Sequence, residues 1–186
     1  MLDNMIRTLK WMVFFLCISL SACITEDEEM ESGKNLEVGD RIPSFSVMMN
    51  DGSWVEDKDL LGKVSLVVFF NTSCKDCQQE LPVLQRFYEA YPQHPLVCIS
   101  REEGAASVSG YWQKQGLTMP YSAQQDRKIY QLFASHTIPR IYVVDEEGII
   151  RAVFTDNPLA SYEDLVQAVE GQLAPSEEKQ SCHSEH

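Results

Sequence analysis

The sequence predicts an α/β protein, a mixed sheet flanked by helices and preceded by a β-hairpin. Three observations carry this. Lys63-Val-Ser-Leu-Val-Val-Phe-Phe70 is a nearly continuous apolar run bounded by polar residues, as in a central strand covered on both faces. Residues 75–91 place Leu81, Leu84, Tyr88 and Tyr91 three or four apart, supported by Val83 and Phe87, which is the period of an amphipathic helix. Arg140–Val144 and Ile149–Phe154 flank Asp145-Glu146-Glu147-Gly148, the pattern of an antiparallel hairpin. A strand–helix–strand unit followed by such a hairpin makes a mixed sheet with helices on its faces.

The remaining elements fall between these. Phe45 to Met49 and Trp54-Val55 read as a first hairpin turning at Asp51-Gly52. Pro82 lies inside the long helix and should kink it. Leu96–Ser100 is a second strand. Residues 105–115 and 126–134 look helical, with Val108, Tyr111 and Trp112 on one face and Ile129, Leu132 and Phe133 on another. Ser161 caps a last helix reaching about Leu173, with Leu165, Val166, Val169 and Leu173 facing inward.

The domain accounts for residues 36–173. Residues 1–22 read as a signal peptide: Arg7 and Lys10 form a basic region, and Trp11 to Leu20 is an apolar stretch too short to span a bilayer. Leu20-Ser21-Ala22-Cys23 resembles a bacterial lipobox, which would place a diacylglycerol on the Cys23 thiol and anchor the chain to a membrane surface. Residues 23–35 are acidic and nearly devoid of apolar side chains, an extended tether. Residues 174–186 form a polar tail. Export sets an oxidising compartment in which disulfide chemistry is possible. A formal charge of −13 excludes nucleic acid as a partner, because phosphate binding needs clustered Lys and Arg.

Cys74-Lys75-Asp76-Cys77 falls at the junction of the buried strand and the long helix. There the first cysteine meets the free N–H groups and positive dipole end of the helix, which favour a thiolate. The second lies one turn on, within disulfide reach. Lys75 adds to the effect and Asp76 opposes it. A zinc knuckle needs a second Cys or His pair at short spacing, and the sequence has none. A purely structural disulfide closing so short a loop contributes little stability. Of the other cysteines, Cys17 leaves with the signal, Cys98 reads as a core residue and Cys182 lies in the tail beside His183 and His186.

The stretch Val67 to Pro82, Val-Val-Phe-Phe-Asn-Thr-Ser-Cys-Lys-Asp-Cys-Gln-Gln-Glu-Leu-Pro, resembles the active-site segment of the TlpA/ResA-like thiol–disulfide oxidoreductases. The likeness runs from about Leu36 to Leu173 and includes Leu61-Gly62-Lys63, Thr137-Ile138-Pro139 and the Val144–Gly148 turn. It implies a thioredoxin-like fold with an N-terminal β-hairpin and a central helical insertion. It also implies a redox pair of Cys74 and Cys77, with Glu80 as the acidic group after the second cysteine. A solvent-facing helix glutamate is the plainer reading of Glu80. Pro139 matches the cis-proline of this fold, which would present the backbone of Ile138 to an extended substrate. No cofactor and no resident metal are implied. The implied partners are protein disulfides or thiols and a membrane electron donor. The family usually carries Trp before its first cysteine; here Ser73 stands there, which bears on the potential and on the aromatic part of the groove.

Two other classes compete. A copper protein of the Sco kind would use Cys74, Cys77 and His136 as a soft Cu(I) site, but such proteins usually separate their cysteines by three residues, not two. A peroxiredoxin places a threonine three residues before its reactive cysteine and a proline further upstream. Here Thr72 is two residues before Cys74, and Val68 stands where the proline would be.

Overall fold

The computed structural model describes residues 34–173. The expected signal peptide, Cys23, most of the acidic tether, the tail with Cys182 and the inward placement of the Leu173 side chain lie outside the described residues. The strands are β1 (Ser46–Met48), β2 (Trp54–Glu56), β3 (Ser65–Phe70), β4 (Leu96–Ser100), β5 (Tyr121–Ser122), β6 (Arg140–Val144) and β7 (Ile150–Phe154). The helices are α1 (Lys75–Ala90), α2 (Ala105–Gln115), α3 (Lys128–Phe133) and α4 (Tyr162–Leu173), with a 3-10 turn at Asp57–Leu60.

Five strands form one sheet in the order β5-β4-β3-β6-β7. Strand β3 is central and has no exposed residue, as its apolar run requires. It pairs in parallel with β4, Leu66 opposite Leu96 through Phe70 opposite Ser100. It pairs antiparallel with β6, Ser65 opposite Val144 through Phe69 opposite Arg140. The β3–α1–β4 unit is the crossover expected of a parallel pair, and β6–β7 closes the sheet as a hairpin.

The first hairpin, β1–β2, turns at Asp51-Gly52 with Gly52 at φ 85°, a left-handed backbone that glycine adopts without steric cost. It is fastened to β5: the Asn50 N–H donates to the Tyr121 carbonyl at 2.8 Å, and the Ser122 hydroxyl donates to the Met48 carbonyl at 2.8 Å. These bonds cover part of an otherwise open sheet edge.

Helix α1 continues through Pro82 as one element, although proline cannot make its own i to i−4 bond. Its buried side includes Leu81, Leu84 and Phe87, and it also buries the polar Gln85, whose Oε1 accepts from the N–H groups of Thr118 and Met119. Helix α4 opens on a reciprocal cap. The Asp164 N–H donates to the Ser161 hydroxyl at 3.1 Å, and the Ser161 N–H donates to Asp164 Oδ2 at 2.9 Å.

One sequence expectation needs correction. Helix α3 is shorter than residues 126–134 and buries Tyr130 and Phe133, while Ile129 and Leu132 are half-buried. Val108, Tyr111 and Trp112 do share the inner face of α2, with Tyr111 half-buried against the core. Strand β5, two residues long, carries too little periodicity to show in the sequence. Among the described residues no helix is long and apolar enough to cross a membrane.

The aromatic core gathers on Phe69. Its ring lies 5.3 Å from Tyr130, 4.9 Å from Phe133 and 6.3 Å from Tyr142. Truncating such a ring leaves a cavity that close-packed neighbours only partly refill. Phe69→Ala is expected to cost about 3–5 kcal/mol in denaturant unfolding. Trp54→Ala, at a site 64% exposed, should stay within about 0.5 kcal/mol of wild type.

Candidate active site

Strand β3 ends at Phe70, and the chain turns through Asn71-Thr72-Ser73 before α1 begins. That turn is fastened from several sides. The Cys74 N–H donates to the Asn71 carbonyl at 3.1 Å. Asn71 Oδ1 accepts from the Ser73 N–H at 2.9 Å and from its hydroxyl at 2.5 Å, and Asn71 Nδ2 donates to the Arg101 carbonyl at 3.0 Å. Gln78 Nε2, from the first turn of α1, reaches back to the Thr72 carbonyl at 2.8 Å. Ser73, where the resembling family carries Trp, is exposed and turns its hydroxyl to Asn71.

Cys74 is the N-cap of α1, with extended backbone at φ −78° and ψ 124°. Its sulfur accepts from the Cys77 N–H at 3.5 Å, so a free helix N–H points at it as the junction argument required. The thiol also lies 3.7 Å from the Ile138 carbonyl, to which it donates. Cys74 is half-buried, whereas Cys77 is fully buried; both are free thiols. Burial pushes the Cys77 thiol well above the ordinary thiol range. The backbone of Asn71 opposes that, neighbouring Cys74 adds to it, and Arg101 opposes it more weakly.

Glu80 stands one helical turn beyond Cys77 and is 1% exposed. The solvent-facing reading is therefore wrong for this residue. Among the described residues, neither carboxyl oxygen has a hydrogen-bond partner of good geometry. Burial pushes its pKa from 4.5 up to about 7; the backbone of Ala160 pulls it down and the Asp164 carboxylate pushes it up. An acid in this state exchanges protons near neutral pH.

The Ile138-Pro139 peptide bond is cis, as the resemblance implies, and both residues are buried beside Cys74. The carbonyls of the same loop are braced: the Tyr130 hydroxyl donates to the Thr137 carbonyl at 2.9 Å, and Arg140 Nη2 donates to the His136 carbonyl at 3.3 Å.

His136 is not brought to the sulfurs. It is exposed, with Nδ1 2.8 Å from the Ser135 hydroxyl. Among the described residues no three His, Cys, Asp or Glu side chains converge closely enough to hold a metal ion. Cys98 is remote from this chemistry as well; it is fully buried, with its thiol against the Met119 sulfur at 3.8 Å.

Sequence reasoning missed Asn71, Gln78 and Glu103. The Glu103 carboxylate, on the loop after β4, accepts the N–H and hydroxyl of Thr72. A helical spacing of four from Cys74 gave a faint signal for Gln78, but nothing in the sequence pairs positions 72 and 103.

Residues 38–153 match the AhpC/TSA family. The thiol–disulfide oxidoreductase ResA of Bacillus anthracis is 26% identical over 117 residues, covering 62% of this chain and 68% of that protein. ResA of Bacillus subtilis strain 168 is 21% identical over 140 residues, covering 72% and 78%. A crystal structure of a thiol:disulfide interchange protein of the thioredoxin family from Chlorobium tepidum superposes with a TM-score of 0.64 at 24% identity, over 76% of this chain and 100% of that one. The chain accordingly belongs to the AhpC/TSA family, as a thiol–disulfide oxidoreductase of thioredoxin-like fold.

Proposed function

We propose that the protein is an extracytoplasmic, membrane-anchored disulfide reductase in which Cys74 attacks, Cys77 resolves and Glu80 takes the resolving proton. One observation carries the assignment of roles. Cys74 is reachable and faces a helix N–H, Cys77 is buried, and a buried carboxyl group lies one turn further in.

The Cys74 thiolate attacks one sulfur of a protein disulfide, forming a mixed disulfide and releasing the other sulfur as a thiolate. Cys77 gives its proton to the Glu80 carboxylate and attacks the Cys74 sulfur. The bond from Cys74 to the substrate breaks, the substrate leaves as a second thiolate, and the Cys74–Cys77 disulfide forms. Two electrons have passed from the dithiol to the substrate. Ile138 and Pro139 offer an extended substrate its backbone contact beside the sulfurs. A membrane electron donor returns the pair to the dithiol. The Leu20–Cys23 lipobox supports lipid anchoring through Cys23, with the acidic tether spacing the domain from the surface. The separation of His136 from the sulfurs favours this reading over a copper site.

Cys77→Ser should accumulate a mixed disulfide through Cys74 that gel mobility and mass spectrometry detect. Cys74→Ser should form none, and His136→Ala should reduce disulfides at nearly the wild-type rate. Mixed disulfides trapped by Cys74→Ser alone would reverse the roles.

Glu80 predicts two opposite pH dependences. A protonated Glu80 cannot accept the Cys77 proton, so resolution should rise with pH through about 7. In Glu80→Gln that inflection should vanish and the rate should fall about 100-fold. Stability moves the other way. The folded protein holds the Glu80 proton more tightly than the unfolded chain does, so wild type loses stability as pH climbs from 4.5 to about 7. Glu80→Gln escapes that loss and should gain up to roughly 3 kcal/mol on wild type across the window, read by denaturant unfolding at each pH.

For the anchor, mass spectrometry of membrane-extracted protein should find Cys23 as the first residue, carrying a diacylglyceryl thioether. A soluble mature chain beginning elsewhere would refute it.

A further inference from the structure

We infer that Glu103 is a positioning residue for the redox pair, clamping the turn Asn71–Ser73 that delivers Cys74 to the helix N-terminus. The inference rests on the exchange reading above for its purpose, and on hydrogen-bond geometry for its substance.

Glu103 is buried on the loop between β4 and α2, a costly place for a carboxyl group unless donors converge on it. Three do. The Thr72 N–H donates to Oε2 at 2.7 Å, the Thr72 hydroxyl donates to Oε1, and the Ser107 hydroxyl from the first turn of α2 donates to Oε1 at 2.6 Å. Glu103 is itself held in place. Its N–H donates to the Gln124 carbonyl at 2.8 Å, and its carbonyl accepts from the Ser100 hydroxyl at 2.8 Å. The clamp thus ties the end of β4, the start of α2 and the segment after β5 to a residue two positions before the nucleophile.

The Thr72 carbonyl accepts from Gln78, so the peptide groups on both sides of the Thr72 Cα are held. Fixing them orients neighbouring Asn71, whose backbone is the main group favouring the Cys77 thiolate against burial. Thr72 is not itself in contact with a reacting sulfur in the hydrogen-bond network, and neither is Glu103. Their effect reaches the chemistry through the turn, and it falls on the resolving thiol more than on the attacking one, which has its own N–H from Cys77.

Dithionitrobenzoate separates the two steps without needing catalytic turnover. The Cys74 thiolate breaks the probe's disulfide and releases one thionitrobenzoate. The Cys77 thiolate then displaces the second from Cys74 and closes the protein disulfide, so two electrons reduce one probe to two thiolates. In Glu103→Ala the second release should slow about tenfold across the pH range, the consequence of a thiolate population lowered by one pKa unit, while the first changes less than about threefold. Thr72→Val should show a smaller loss of the same kind. Thr72→Ser, which keeps the hydroxyl, should restore the second release to within about twofold of wild type. The Glu103→Ala, Thr72→Val double variant should be no slower than Glu103→Ala, because both remove one clamp.

Unchanged second release in folded Glu103→Ala would overturn the inference. So would equal slowing of both releases, or additive losses in the double variant, since either marks general loosening. Should Glu103→Ala fail to fold, Thr72→Val against Thr72→Ser decides by the same ratio of second to first release. The exchange reading fails separately, by absence of protein-disulfide turnover in wild type or by copper binding that requires His136, and neither result alters these ratios.

Discussion

Everything at the active edge follows from the burial of β3 on both faces. With no exposed residue and a hydrogen-bonded neighbour on each side, the strand has one position and one direction. Its last residue, Phe70, lies opposite Ser100 of β4, and its penultimate residue, Phe69, lies opposite Arg140 of β6. Register therefore brings three chain segments to one end of the sheet. The turn Asn71–Ser73 leaves β3 there, the loop holding Glu103 leaves β4 there, and Ile138-Pro139 arrives there at the start of β6. A slip of one residue in either pairing would turn alternate side chains to the wrong face and part these segments. Cys74 meets the Ile138 carbonyl because two strands of opposite direction share that register.

The two buried glutamates near this edge show how environment divides one residue type between duties. Glu103 receives three hydrogen bonds, two from Thr72 and one from Ser107 of α2. Among the described residues Glu80 receives none of good geometry, and burial raises its pKa to about 7. The first arrangement fixes a turn; the second stores an exchangeable proton.

What the sequence revealed was whatever local pattern encodes. The apolar run of β3, the cysteine pair at its junction with α1, both hairpins and the Ser161 cap stood out because each depends on neighbours within a few residues. Tyr130 was missed because α3 is only six residues long, less than two turns, and its periodicity cannot separate Tyr130 and Phe133 from Ile129 and Leu132. Gln85 and Glu103 were missed because their partners lie more than thirty residues away. Periodicity suggested that Leu81 and Leu84 face the core, but it could not show that a polar side chain enters with them. His136, expected to be a loop residue and a ligand only in the competing copper reading, is indeed exposed, because closeness to Pro139 in the chain does not direct a side chain toward the sulfurs.

A buried acid of this kind costs stability whenever it ionises, and this fold carries that cost one helical turn from Cys77. The cost is offset at a distance. Phe69, Phe133, Tyr130 and Tyr142 lie on the sheet with ring centroids between 4.9 and 6.3 Å apart, contacts each worth about 0.5–1.5 kcal/mol beyond the area they bury. Two of these rings also hydrogen-bond the backbone that leads to the site: the Tyr142 hydroxyl donates to the Phe133 carbonyl at 3.0 Å, and the Tyr130 hydroxyl to the Thr137 carbonyl at 2.9 Å. The cluster therefore does more than supply apolar burial. It holds the loop that ends in Ile138-Pro139 while the other side of the site, Asn71 to Cys74, is held by Glu103 and Gln78. Both walls are thus fixed independently of one another, which is the preorganisation that the proposed proton exchange at Glu80 and sulfur exchange at Cys74 would need.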